Sequence, residues 1–433
     1  MLDKFRHIHF IGVGGSGISS IAHLALAHGL KVTGSDSSDS PVIKVLEKHG
    51  ARIVIGHKKE NVNELTEIVV YTEAIDKNTN PEFLEAKRLD IPVLSYFEAI
   101  GEISKNKKTV AVIGTHGKTT TTAMLGQALI KAGLNPTVIV GSTVKAFDNT
   151  NIHIGHSEWF VVEGCEYRRS FMSLQPFGAV LLSCEPDHLD YYKDEEDYVS
   201  AFTEFVKKIP KNGFLVYNSE NKNCRKLSVH CRGKLIPVDK THADKLDLRL
   251  LVPGEFNRSN AAHAYAAARE VGAGAQAVIE ALNGFQGTAR RLEMRGEKNG
   301  VIVFDDYAHH PTEIKASLKA LRQKYPKKKI VCVYQPHQYS RTLVIMDELR
   351  NSFKDADMVI IPNIYAARDT AEDKKKISAQ KLVEMISKKH PNTIWGRTFA
   401  GALSIVKKEL KAGDILVIMG AGDIYKVADK FLR

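Results

Sequence analysis

The stretch VAVIGTHGKTTTTAM, Val110 to Met124, narrows the possible folds of this chain more than any other. Thr109 to Ile113 is short, apolar and β-branched, which predicts a buried parallel strand. Gly114 and Gly117 bracket a tight turn, and the residues from Thr119 on have the composition of a helix start. Strand, turn and helix N-terminus together offer backbone N–H groups and the positive end of a dipole to an anion. Lys118 adds a charge for terminal phosphates, and Thr119 adds a hydroxyl for Mg²⁺. A strict G-x-x-x-x-G-K-[ST] pattern nevertheless fails, because Val112 stands at the first glycine position. Two readings stay open at this point: an altered phosphate loop, or a plain βα turn with a solvated lysine.

A second glycine turn lies nearer the N-terminus. In HIHFIGVGGSGISSIAHLALAHG the strand from His7 runs into Gly12, Gly14 and Gly17, and the following strand ends at Asp36. The spacing is that of a dinucleotide turn with its acid about twenty residues on. It indicates a bound nucleotide without saying which one.

Further βα units follow to about Glu102, and the lysine-rich SKNKKT (Ser104 to Thr109) reads as a connector. We place domain boundaries so that residues 1–104, 105–287 and 288–433 form three α/β domains: a Rossmann-like first domain, a central domain resembling P-loop ATPases, and a Rossmann-like C-terminal domain. In the third, VIVFDDYAHHP, KIVCVYQP, MVIIPNIY and ILVIMGAGD alternate with helical segments, which reads as a parallel sheet.

A chain of 433 residues with 43% apolar and 26% charged side chains fits several globular domains. Its apolar runs fall short of the roughly 20 residues of a membrane span, and the N-terminus enters a strand without a signal-like segment. Five scattered cysteines without C-x-x-C spacing argue for a reducing compartment, hence a cytoplasmic protein. The net charge of +11 comes from lysine pairs and triplets spread along the chain rather than from a basic strip for nucleic acid. Such an excess favours approach of anionic small molecules. Neither nucleic-acid binding nor membrane insertion is expected.

The strings GVGGSG, GTHGKTTTT, VVEGCEYRRSF, EPDHLDYY, PGEFNRSNAA, RRLE, DDYAHHP, QPHQYSRT and MGAGD occur in one order. In that order and spacing the chain resembles the Mur ligases of bacterial cell-wall synthesis across nearly its whole length. The family's ATP loop has the shortened G-T-x-G-K-[ST] form, so Val112 matches the family's variant. The likeness is to the members that add the first amino acid. It implies that ATP, UDP-N-acetylmuramate and L-alanine give ADP, phosphate and the alanyl product. It also implies Mg²⁺, with Mn²⁺ as an alternative, and a monomer or homodimer.

Carried over residue by residue, the resemblance assigns ATP contacts to Gly114, Thr115, His116, Gly117, Lys118, Thr119 and Thr120, with Asn257 and Asn260 at the adenine and Arg291 and Asp306 brought by the third domain. The metal ligands fall on Thr119, Glu163 and His188, with Glu166 as an outer candidate. Gly14, Ser16, Gly17, Asp36 and His57 match the UDP-sugar site. His309, His337 and Arg341 match the region of the amino acid and the reacting carboxylate; a guanidinium suits bidentate carboxylate recognition. Lys118, Glu163, His188, His309 and Arg341 are thus the expected catalytic set. A carboxylate attacking a phosphate brings two anions together, which explains the need for Lys118 and a cation.

Departures cluster near the amino-acid site and the acidic string. Cys165 and Arg168 replace acids in E-G-C-E-Y-R, Ser183 stands where asparagine is common, and Gln338 replaces an arginine in QPHQYSRT. IYAARDTAEDKKK lacks the usual proline–glycine stretch. Three rival readings follow: a ligase that attaches a recycled tripeptide to the same nucleotide sugar, a nicotinamide-dependent dehydrogenase, and a non-catalytic nucleotide-sugar module. The last two leave Lys118, Thr119, Glu163 and His188 without work.

Overall fold

Three β-sheets, each built mainly from parallel strands, organise the chain in the computed structural model, which describes residues 4–188, 191–367 and 369–433. The first sheet comprises β1 (His7–Ile11), β2 (Lys31–Asp36), β3 (Arg52–Ile55), β4 (Ile68–Tyr71) and β5 (Val93–Ser95), in the order β3-β2-β1-β4-β5. All of its pairings are parallel. The strand order reverses at β1, whose C-terminal end carries the Gly12–Gly17 turn. Open α/β sheets bind ligands at such a switch point. Fully buried β1, reading HIHFI, needs its two histidines satisfied by side-chain partners, and both find Thr33 on β2.

The second sheet holds β6 (Lys108–Ile113), β7 (Thr137–Val144), β8 (Thr150–His153), β9 (Trp159–Glu163), β10 (Pro176–Leu181), β11 (Phe214–Asn218) and β12 (Lys234–Val238). Its order is β12-β11-β10-β6-β9-β7-β8, and only β7 with β8 pairs antiparallel. The apolar strand β6 therefore runs between β9 and β10. Val112 lies opposite Glu163 on one side, and Ile113 lies opposite Leu181 on the other. This register delivers Glu163 and the segment after Leu181 to the two flanks of the Gly114–Lys118 loop.

The third sheet contains β13 (Glu293–Lys298), β14 (Val301–Asp306), β15 (Ile330–Tyr334), β16 (Met358–Ile361), β17 (Thr393–Trp395) and β18 (Ile415–Met419), ordered β13-β14-β18-β15-β16-β17. The wholly parallel sheet expected for this segment gains one antiparallel edge strand, β13. EMRGEK is polar, half-exposed and broken by Gly296, so neither hydrophobicity nor period marks it as a strand. Buried valine, isoleucine and methionine side chains of β14, β15, β16 and β18 form the cores on both faces.

The chain divides into two compact units: one takes the residues up to Leu248 with Ser259–Gly284, the other Arg249–Arg258 with Phe285–Arg433. The first unit contains the first two sheets, and the second unit contains the third. All five cysteines are free. Among the described residues, no helix is long and apolar enough to cross a membrane.

Candidate active site

The loop after β6 turns into the helix Lys118–Lys131 through Gly117, whose φ of +83° is left-handed. A Cβ there would also lie 2.6 Å from Asn260 Oδ1, so the position needs glycine for both conformation and space. That close approach brings Asn260 onto the loop. Thr115 and His116 are tied to the segment after β10: Thr115 N–H donates to the Ser183 carbonyl (3.1 Å) and His116 N–H to Ser183 Oγ (3.0 Å). Ser183, a departure from the family pattern, thus supplies a hydroxyl acceptor for the loop.

Lys118 Nζ donates to the Gly114 carbonyl (2.6 Å) and lies 2.8 Å from Glu166 Oε2. Burial works against the lysine's charge, but the Glu166 carboxylate more than offsets it and holds Lys118 above the ordinary lysine range. Glu166 is buried too, which alone would raise its pKa; Lys118 and then His188 bring it below the usual carboxylate range. His188 Nε2 stands 3.6 Å from Glu166 Oε1. Glu166 therefore sits between Lys118 and His188, a central place that its sequence signal did not reveal.

Glu163 receives the Thr119 hydroxyl at 3.2 Å and the Gly141 N–H at 2.6 Å. Two adjacent oxygen donors at a phosphate loop fit a hard cation such as Mg²⁺. The His188 imidazole, if it joins them, suits Mn²⁺ equally. Thr119 and Glu163 are brought together as expected, whereas His188 faces Glu166 at 3.6 Å and Asp187 at 3.9 Å. Thr120 is buried behind the loop.

In the first sheet, Gly14 N–H donates to Asp36 Oδ2 (2.9 Å), so the acid at the end of β2 fastens the glycine turn. A cavity of about 620 Å³ lies against Gly14, Asp36, His57 and Thr72. A second cavity of about 440 Å³ is lined by Ser16, Gly17, Tyr96, Glu163 and Cys165. Gly15 and Thr72 line both, so the space continues from the Gly12–Gly17 turn to Glu163. Asn151, from the second sheet's β8, donates to the Ser16 carbonyl across this boundary. Cys165 in the second cavity is a poor nucleophile, since burial pushes its thiol up to about 12.

In the second unit, four candidates lie at or just beyond the C-terminal ends of parallel strands, where such sheets bind ligands. Asp306 ends β14, and His337 and Arg341 follow β15. Arg291 lies over the Tyr307 ring at 5.0 Å. His309 and His337 approach to 6.0 Å between ring centres, and His337 stacks on Tyr365 at 5.4 Å. Asn257, at the start of the helix Glu255–Val271, donates its amide to the Pro253 carbonyl (2.7 Å). Sequence alone pointed to neither Tyr365 nor the Tyr96 that faces Gly17, because each meets its partner only through the fold.

Family models described as the Mur ligase family catalytic domain, the Mur ligase middle domain and the Mur ligase glutamate ligase domain match residues 7–108, 112–235 and 290–422. A UDP-N-acetylmuramate–L-alanine ligase of Clostridium acetobutylicum is 39% identical, over 99% of this chain and 98% of its own length. The chain belongs to the Mur ligase family. Another ligase of that name, from Acetivibrio thermocellus, is 39% identical over 100% of this chain and 96% of its own. The structure of UDP-N-acetylmuramate-alanine ligase from Thermotoga maritima matches with a TM-score of 0.81 at 24% identity, covering 98% of each chain. A murein peptide ligase structure from Psychrobacter arcticus matches at 0.72 and 23%, covering 99% of this chain and 98% of its own. At those identities the structural likeness is one of fold.

Within this Mur ligase, two side chains invite direct tests. His188→Ala should raise the Mg²⁺ concentration needed for half-maximal turnover by about tenfold or more, with UDP binding unchanged. A metal titration that superimposes on the wild type removes His188 from the ligand set. Asp306 is fully packed, accepts the Ser317 hydroxyl at 2.5 Å, and is pushed by burial up to about 6. Its folded pKa is thus raised above the unfolded 3.8. Below the lower value the acid is protonated in both states and costs nothing; as pH rises through the window to about 6, folding loses stability. The difference amounts to about 3 kcal/mol at neutral pH. Asp306→Asn should therefore raise the melting temperature at pH 7.5 more than at pH 4.5. An equal shift at both values removes the burial argument.

Proposed function

We propose that the protein is an ATP-dependent ligase that joins L-alanine to the carboxylate of UDP-N-acetylmuramate in the making of peptidoglycan precursors. The observation that carries this reading is identity of 39% to ligases so named over essentially the whole chain. The geometry of the phosphate loop supports it. The lactyl carboxylate of the nucleotide sugar attacks the γ-phosphate of ATP, ADP leaves, and the amine of alanine then displaces phosphate from the acyl phosphate. Lys118 and the N–H groups of the loop offset the charge of the transferring group. Gly14, Ser16, Gly17, Asp36 and His57 hold the UDP-sugar, and the continuous cavities run from that turn towards Glu163. Asn257 and Asn260 are assigned to adenine, Arg291 and Asp306 to ATP, and His309, His337 and Arg341 to the amino acid and reacting carboxylate. Thr119, Glu163 and His188 would hold Mg²⁺, which supplies further neutralisation of phosphate charge.

Each of the proposed domains, 1–104, 105–287 and 288–433, encloses one of the three sheets. The substrates place the reaction in the cytoplasm, by a monomer or a homodimer. Phosphate release is to be measured with UDP-N-acetylmuramate and ATP against L-alanine, glycine, L-serine and the tripeptide. Preference for L-alanine upholds the reading. Preference for the tripeptide assigns the chain to peptide recycling, and release without nucleotide sugar overturns both.

A further inference from the structure

Beneath the UDP-type cavity lies a buried polar group that the mechanism above leaves unused. Glu82 occupies the first turn of the helix Pro81–Arg88, its N–H capped by Asn80, with a side chain that is fully buried. Burial alone would drive this carboxyl neutral; the His9 ring facing it and hydrogen bonds from Ser35 and Asn61 hold it below the usual range. It is therefore an anion that only accepts. Ser35 Oγ donates to Glu82 Oε2 at 2.5 Å, which commits the single proton of that serine.

His57 Nδ1 lies 3.0 Å from Ser35 Oγ and 3.2 Å from Glu82 Oε2. Both neighbours can only accept from it, so Nδ1 carries the hydrogen. His57 Nε2 has no partner among the described residues, and the ring lines the cavity beside Gly14 and Asp36. His9 Nε2 faces the same carboxylate at 3.7 Å, and Lys58 N–H donates to its other oxygen at 3.4 Å. The carboxylate is thus held from several sides.

We propose that Glu82 is a positioning residue for nucleotide-sugar binding: it fixes the His57 ring in its Nδ1–H form and offers Nε2 to the cavity as an acceptor for a ribose hydroxyl or base N–H. The ligand in this statement rests on the UDP-sugar reading; the tautomer does not. A bare histidine on a cavity wall would populate both neutral forms and several ring orientations. Pinning one nitrogen to a buried anion removes that freedom before the ligand arrives.

Histidine NMR on the ligand-free, full-length protein, at a pH where the ring is neutral and with His57→Gln for assignment, reads the tautomer directly. The expected spectrum shows Nδ1–H in the wild type and a mixture in Glu82→Gln. Calorimetry with UDP should show binding weakened about tenfold in Glu82→Gln, with ATP affinity unchanged. In a His57→Ala background, Glu82→Gln should have no further effect on UDP. An Nε2–H wild-type ring overturns the proposal, and so does an equal loss of UDP affinity with or without His57. Should the variant fail to fold, the wild-type spectrum still decides the tautomer. A wild type that binds no UDP refutes the cavity's nucleotide reading and the ligand given to Nε2, separately from the NMR result.

Discussion

Lys118→Ala should lower the rate of phosphate release by about a thousandfold, and it should also destabilise the protein. The first effect follows from losing the cation proposed to meet the terminal phosphates. The second follows from Glu166, which is 3% exposed and lies 2.8 Å from the lysine. Removing one member of a buried ion pair leaves the other charge uncompensated, at a typical cost of about 3–5 kcal/mol. Lys118→Ala combined with Glu166→Gln separates the two roles: the melting temperature should largely recover while turnover stays lost. A single variant retaining more than about a tenth of the wild-type rate, a loss of under roughly 1.4 kcal/mol, would show that Lys118 is not the phosphate lysine. If the double variant recovers turnover as well, the defect lay in the fold.

That partnership also shows where sequence reading reaches its limit. The Gly114–Thr119 loop is legible because one phosphate-binding turn draws its strand, glycines, lysine and hydroxyl from a contiguous run of chain. Glu163 and His188 were reachable only through the family resemblance. The fold supplies the physical reason: β9 and β10 are not neighbours in sequence of β6, yet they flank it on either side. No local periodicity encodes that strand order. Glu82 hides for a different reason. In NPEFLEAK, a capping asparagine, a proline and an acid in the first turn already account for a helix start. The approach of Ser35, His57 and Asn61 to that acid depends on pairings with β2 and on the loop beyond β3. Polar β13 was missed because its strand character comes from pairing with β14 rather than from its own side chains.

Arg341→Ala should depress ligation of L-alanine by at least about two orders of magnitude while ATP still binds, since an unpaired buried charge typically costs several kcal/mol. Arg341 lies in the short helix Tyr339–Val344 that follows β15, one turn beyond His337 and Gln338. Its neighbour Gln338 is not an idle gap in the family's arginine pattern. The glutamine is 6% exposed, stands at the N-cap position of that helix with a φ of +69°, and donates its amide to the Ala367 carbonyl at 2.8 Å. Its N–H donates to the Tyr365 carbonyl at 2.9 Å, beside the ring on which His337 stacks. Gln338 therefore fastens the segment after β16 to the His337–Arg341 stretch. Gln338→Ala should weaken use of alanine by releasing that segment, whereas Gln338→Arg keeps a donor for Ala367 and adds the charge of the family pattern. Steady-state rates with L-alanine and with the tripeptide decide among the possibilities. Improved use of alanine by Gln338→Arg identifies an alanine ligase whose site tolerates the glutamine. Arg341→Ala within tenfold of the wild type removes the guanidinium from carboxylate recognition. A wild type that prefers the tripeptide, with alanine use unmoved by Gln338→Arg, makes the recycling reaction the physiological one.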